Sequence, residues 1–393
     1  EKRGKMGEAE QRFEQAAETT AELLTRDPKN LQRLFDHAQS SYWVGYAAWR
    51  QGKREVAQPR FEDYLRLAQT LTQLEPEKAQ WQMELAWAEH NLGVLLLRSN
   101  EVQPSLARLD RARALWQQLL PTQPELGIEL AKTLGWLAEG QEKLGLFEDS
   151  ISSQQSKLRA LDTDRKSDRT VQDLQATTLS ALGRLQLNLG RGEEALGSAQ
   201  AARDAYTALA RVAPDNLEMQ AKLGFEQLQL AETAQLLAMP QLARQELDAL
   251  APISQRLLAA DARKPAWAVR LKGRELAARM SQALTHHDGE IRAERGRLVA
   301  FLAGSSTDDG PEKTLDPESR WVLALASLRL GDAWASESAD MASPQYRAVL
   351  RHLAPLIDGS TEPRVKSLYA HALLRLGRAQ ESRVLAENAG ASA

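Results

Sequence analysis

LEPEKAQWQMELAWAEHNLG, residues 74 to 93, decides the fold. From Ala79 the amphipathic pattern runs on to Arg98 without a Gly-Pro break and reads as one helix. Asn100 follows, and a second helix is predicted from Val102 to Leu120, ended by Pro121 and Pro124. Sustained alternating runs of β-branched residues are absent throughout, so strands find no support. At ~20 residues each, the helices are roughly 30 Å long.

The unit repeats. Residues 4–28 laid over 52–76 match Gly4-Lys5 to Gly52-Lys53, Phe13 to Phe61 and Pro28 to Pro76, all at an offset of 48. A further step of 48 reaches Asn100, Leu109 and Pro124. Later loop anchors fall at Gly145, Gly190, Ala238, His286, Gly331 and Gly377, at spacings of 45 to 48. A fixed period of this size marks a solenoid, in which each helix pair buries its apolar face against the next. The expected fold is all-α: a right-handed superhelical solenoid of antiparallel helix pairs.

The pattern resembles a tetratricopeptide repeat (TPR) with lengthened helices. Leu92-Gly93 is followed by Ser105, Leu109 and Ala112, and Leu182-Gly183 by Ala195, Ala199 and Ala202. Val44-Gly45 is followed by Ala57, Phe61 and Tyr64, where Tyr64 departs from the small residue of the pattern. A Gly or Ala on one helix lets its hairpin partner approach, and a large side chain fills the gap beyond. The wording of Leu74 to Gly93 is similar to 48-residue repeats of bacterial multidomain signalling proteins, arrays often fused to kinase, TIR or winged-helix domains. The resemblance covers residues 4 to about 303 and implies a groove that binds a protein or peptide.

Three segments are predicted: a TPR-like array over 1–304, a polar linker SSTDDGPEKTLDP over 305–317, and shorter capping helices over 318–393. The capping helices are placed at Trp321–Leu330, Tyr346–Ile357, Val365–Leu376 and Ala379–Ala386. LDTDRKSDRT, residues 161–170, reads as a solvated loop.

Fifty Lys and Arg against fifty-three Asp and Glu give a net charge of −3, with no basic run that would mark a nucleic-acid footprint. No apolar run approaches the ~20 residues that span a bilayer, so this segment carries no membrane insertion. There is no cysteine, which excludes disulfides and thiolate chemistry. The sequence opens on Glu1 and reads as part of a longer chain, leaving room for a signal or membrane segment upstream. Either a bacterial cytoplasm or a periplasm fits.

Chemistry is sparse. His37, His90, His352 and His371 stand alone on helical stretches, and no HExxH appears. His286 and His287 are adjacent, so on a helix their rings diverge by ~100° and chelate poorly. Gly190-Arg191-Gly192 is a turn at the repeat period, not a phosphate loop. No catalytic residue, metal or cofactor is assigned, and the segment reads as a non-enzymatic binding scaffold, the sensory or regulatory part of a signalling protein. The rivals are a targeting array for a catalytic domain outside the segment, and an assembly factor that self-associates through its last helix.

The strongest local feature is QSSYWVGYAAWR, residues 39–50. On a helix Tyr42, Tyr46 and Trp49 share a stripe, Ser41, Gly45 and Ala48 form a small-residue face, and Trp43 points elsewhere, into the core with Phe61 and Trp116. The first helix of each TPR pair lines the concave groove, so the resemblance implies groove positions at Gln39, Tyr42, Tyr46, Trp49 and Arg50. The same offsets give Trp87, His90, Val94, Leu97 and Arg98 from Gly93, and Thr177, Ser180, Arg184, Leu187 and Asn188 from Gly183. Trp, Tyr and Arg are the types enriched at binding hot spots. Burial against neighbouring repeats is the competing reading for Tyr46 and Trp49. The family's carboxylate clamp is unmatched, with only Asn91 at a clamp-type position.

Overall fold

The computed structural model describes residues 2–162, 168–260, 266–286, 289–305, 315–357 and 363–390. Among them every element is helical. In chain order the helices are α1 (Lys2–Arg26), α2 (Leu31–Arg50), α3 (Arg54–Leu74), α4 (Ala79–Arg98), α5 (Val102–Leu119), α6 (Gly127–Lys143), α7 (Phe147–Ala160), α8 (Arg169–Asn188) and α9 (Gly192–Val212). They continue with α10 (Leu217–Leu236), α11 (Pro240–Ala260), α12 (Ala266–His286), α13 (Ile291–Ser305), α14 (Pro317–Ala335), α15 (Ala339–Ile357), α16 (Pro363–Arg375) and α17 (Ala379–Gly390). A single 3-10 turn, Pro124–Leu126, leads into α6.

The chain divides into two compact units, Glu1–Leu185 and Gln186–Ala393. In the first, each of α1 to α7 packs on the helix that follows or precedes it; in the second, α9 to α17 do the same. Successive antiparallel pairs thus build a solenoid from local contacts.

The connection inside six of the pairs has a fixed backbone signature. Gly52, Asn100, Gly145, Gly190, Ala238 and Gly377 all hold φ between 55° and 77°, the left-handed conformation that closes a helix C-terminus. Helix starts are marked as well, with Asn30, Asn216 and Asp316 accepting from the backbone N–H three residues on, each at 3.1 Å.

The close approach within a pair is set by a small residue seven positions before that left-handed residue. A Cβ on Gly45 would lie 2.9 Å from the Phe61 ring, and one on Gly93 2.8 Å from Leu109 Cγ. Ser105 Oγ donates to the Gly93 carbonyl at 2.7 Å, and Ser150 Oγ repeats the bond to Ala138 at 3.0 Å. Gly93→Leu is therefore expected to force α4 from α5 and cost about 1–3 kcal/mol, read as a lower urea midpoint. A midpoint equal to the parent's would mean that the pair is not closed at Gly93.

Three sequence expectations change. Gly4 lies in the first turn of α1, not in a connection. Gly331 lies inside α14, where it admits the Tyr346 ring at 2.6 Å from the position of a Cβ, so its role is packing rather than turning. The helices at Trp321 and Tyr346 are not short: α14 and α15 each run 19 residues, because the Asp316 cap starts one early and Pro344 and Pro355 do not end the other. Residues 163–167 and 306–314 of the polar stretches, and His287, lie outside the described residues.

Candidate functional site

Helix α2 presents two adjacent faces. Gln39, Trp43, Tyr46 and Arg50 follow at steps of four, three and four, which keeps them on one narrow stripe. Trp43 and Arg50 are exposed, and Gln39 and Tyr46 half-buried. Tyr42 and Trp49 sit to one side. Tyr42 stacks on Phe61 at 6.1 Å and leans on Tyr64 at 5.5 Å, while Trp49 packs into the cluster of Val94, Leu106 and Trp136.

The expectation that Trp43 is core is thereby corrected. It is 42% exposed, because one face is covered by Phe13 of α1, at 5.7 Å, while among the described residues the other stays open. Tyr42 and Tyr46 meet its edges at 5.0 and 5.9 Å, which fixes the indole in place. Phe61 and Trp116 are core, as expected.

Other predicted positions are drawn inward. Gln39 Nε2 and Tyr64 Oη both donate to Glu84 Oε2, at 2.7 and 2.6 Å, tying α2, α3 and α4 together. Burial holds the Glu84 carboxyl above its ordinary range. Trp87 is half-buried and meets the Trp116 ring edge-on at 5.3 Å. His90 is 7% exposed, with Nδ1 2.8 Å from Thr133 Oγ1, and offers nothing to a partner. Val94 and Leu97 are also buried.

Arg98 remains exposed, and its guanidinium lies 4.6 Å over the Trp136 ring, with Glu139 at 3.8 Å. Sequence reasoning missed Trp136. The signal was there: it stands two residues before the small Ala138, as Trp43 stands two before Gly45. The outward-facing set of the first unit is therefore Trp43, Tyr46 and Arg50 on α2, Arg98 on α4 and Trp136 on α6. Arg184 of α8 pairs with both Glu142 oxygens.

No protein-family model matches the sequence, and no curated protein sequence matches it. Among solved structures, the chain is similar to the apo form of RapI at 12% identity and a TM-score of 0.55, over 88% of this chain and 82% of that one. It is similar to aspartyl phosphate phosphatase F of Bacillus subtilis at 13% identity and 0.53, over 86% and 75%. A tetratricopeptide repeat protein of Parabacteroides merdae aligns over 86% and 98% at 12% identity and 0.46. The fold is a TPR-like helical repeat. Identities this low carry the fold and nothing finer. No described helix is long and apolar enough to cross a membrane.

Proposed function

We propose that this chain is a non-catalytic scaffold that docks a protein or peptide segment on the first-helix face of its first unit, as the regulatory part of a larger bacterial signalling protein. The observation that carries the reading is Trp43, a large indole left 42% exposed yet held rigid by three other aromatic rings. An immobilised aromatic loses little side-chain freedom on binding, which is why Trp anchors interfaces. Arg50 lies two turns on along the same stripe of α2, and Arg98 of α4 is braced on Trp136. A protein segment with apolar and acidic side chains matches that surface. The expected groove set is thus revised to Trp43, Tyr46, Arg50, Arg98 and Trp136, with Tyr42, Trp49, Trp87 and His90 supporting it from beneath.

Panning a displayed peptide library against the chain supplies a ligand, and two variants then test the face. Trp43→Ala with Arg50→Ala is expected to cost about 1–2 kcal/mol of stability, leaving the chain folded at the assay temperature, and to weaken binding by more than about 2 kcal/mol. Trp49→Ala is expected to lose roughly 2–4 kcal/mol of stability, because it empties a packed site. Binding that survives the double change would place the docking surface elsewhere.

A further inference from the structure

The second unit holds a cavity of about 220 Å³ between α11, α12 and α13. Its origin is a departure from the repeat. The small residue of α12 that lies 48 before Gly331 is the buried Ala283, 52 rather than 48 residues after Ala231, and Arg279 stands one turn before it. Arg279 stands in the extra turn of α12 and lines the space.

The walls are charged. The Arg279 side chain is 14% exposed and donates to Asp248 Oδ1 at 3.0 Å, to Glu275 Oε1 at 3.2 Å and to the Leu247 carbonyl. Three of its five N–H groups are used, and the other two are unspent. Glu294 is 2% exposed, with Oε1 paired to Arg297 while Oε2 has no hydrogen-bond partner. A buried acceptor that nothing donates to is uncommon and calls for an explanation. Burial first, then Glu290 and Glu275, raise the Glu294 carboxyl above its usual range against the pull of Arg297 and Arg279. Gln282 adds an amide to the wall.

The charges around the space balance, with Arg244, Arg279 and Arg297 facing Asp248, Glu290 and Glu294. A lone anion would be drawn by one set and repelled by the other, and so would a lone cation. A molecule carrying both charges a few ångströms apart satisfies both sets. The volume exceeds the roughly 150 Å³ that encloses a benzene-sized ligand. The corresponding crevice of the first unit, about 210 Å³ beside Asp110, Arg113, Gln141 and Ser153, has no buried carboxylate in its wall.

We propose that the cavity at Arg279 binds a small zwitterion, a free α-amino acid being the simplest: its carboxylate set between Arg244 and Arg297, its ammonium on Glu294 Oε2 and Asp248. This site is separate from the docking face and does not rest on it.

Calorimetric titration of the whole chain with the common free α-amino acids, their N-acetyl forms and their carboxamides tests it. One or more free amino acids are expected to bind saturably at one site, with each blocked form at least tenfold weaker, since each loses a charge-assisted contact of about 1.5–3 kcal/mol. Glu294→Gln keeps the volume and is expected to melt like the parent and lose at least tenfold in affinity. Arg244→Ala, at a half-exposed side chain, is the second variant, with the same loss expected. Affinity should fall as pH drops through the raised range of Glu294, because the ammonium needs the ionised carboxylate. Absence of heat from every free amino acid up to about 10 mM would overturn the proposal. So would blocked forms or sulfate binding as tightly as the free acid, or both variants binding like the parent.

Discussion

Trp116→Ala is expected to lower the stability of the first unit by about 3–5 kcal/mol. The indole is fully buried in a cluster that includes Ala112 and Leu119 of its own helix, Leu130, Ala131 and Leu134 of α6, Leu161 after α7 and Val171 of α8. Trp87 of α4 meets it edge-on at 5.3 Å, and its Nε1 donates to Thr133 Oγ1 at 3.1 Å. Removing it leaves a void framed by long helices that cannot close in independently, because each is also held by its other neighbour. It also deprives Thr133 of a donor. Stability in a repeat array is a sum of local and nearest-neighbour parts, so the loss should fall on the helices around α5 and α6. Hydrogen exchange would show these opening first, and urea unfolding would give the magnitude. Trp116→Phe should lose less, since it keeps most of the apolar contact. An Ala variant within about 1 kcal/mol of the parent would mean that α5 and α6 do not pack as described.

The elements were legible in the sequence wherever one residue carries one job. Ala79–Arg98 is bounded as predicted because Asn100 takes the left-handed conformation just beyond it. Gly45 and Gly93 were readable as crossing points because only a missing side chain admits Phe61 or Leu109 there. Gly331 has the same chemistry in another place: it stands at the period of the turns, but the period drifts, and the residue admits Tyr346 within a helix.

The face of α2 was harder. Stripes 39-43-46-50 and 42-46-49 lie only ~60–80° apart on a helical wheel, and both are aromatic. Which one meets solvent depends on how many helices flank α2, and that is a property of the stack, not of the helix. Phe13 of α1 covers one side of Trp43, while Trp49 is taken up by Val94 and Trp136 of α4 and α6. His90 shows the same limit, since its fate is decided by Thr133, forty-three residues on. Likewise the division of the chain at 185/186 falls inside α8, where no Pro or charge run marks it and the nearby Gly183 reads as one more repeat glycine.

His90 supplies the second large effect, a loss of stability in mild acid. Thr133 Oγ1 donates to the Glu129 carbonyl at 2.9 Å and accepts from Trp116 Nε1 at 3.1 Å. Its one proton is used, so the 2.8 Å contact with His90 requires the imidazole to donate through Nδ1–H. Neutral His90 then has no proton on Nε2. Adding one places a charge among Trp87, Trp116 and the helices that carry them, and Lys132 adds repulsion. Burial first, and Lys132 second, push the imidazole from 6.5 down to about 4. The folded value lies below the unfolded one, so between them the unfolded chain binds more protons and stability rises with pH. The contribution is complete above about pH 6.5 and is lost as pH falls toward 4, a swing of about 3 kcal/mol. Other carboxylates and histidines titrate in the same window, so the measurement is a difference: urea midpoints of the parent and of His90→Gln at pH 7 and pH 4.5. Glutamine keeps an amide donor for Thr133 but takes up no proton. The parent should lose more stability than the variant by roughly 2–3 kcal/mol across that interval. Parallel curves would mean that His90 is protonated as easily in the folded chain as in the unfolded one, and the buried Trp87–His90–Thr133–Trp116 arrangement would fall with that result.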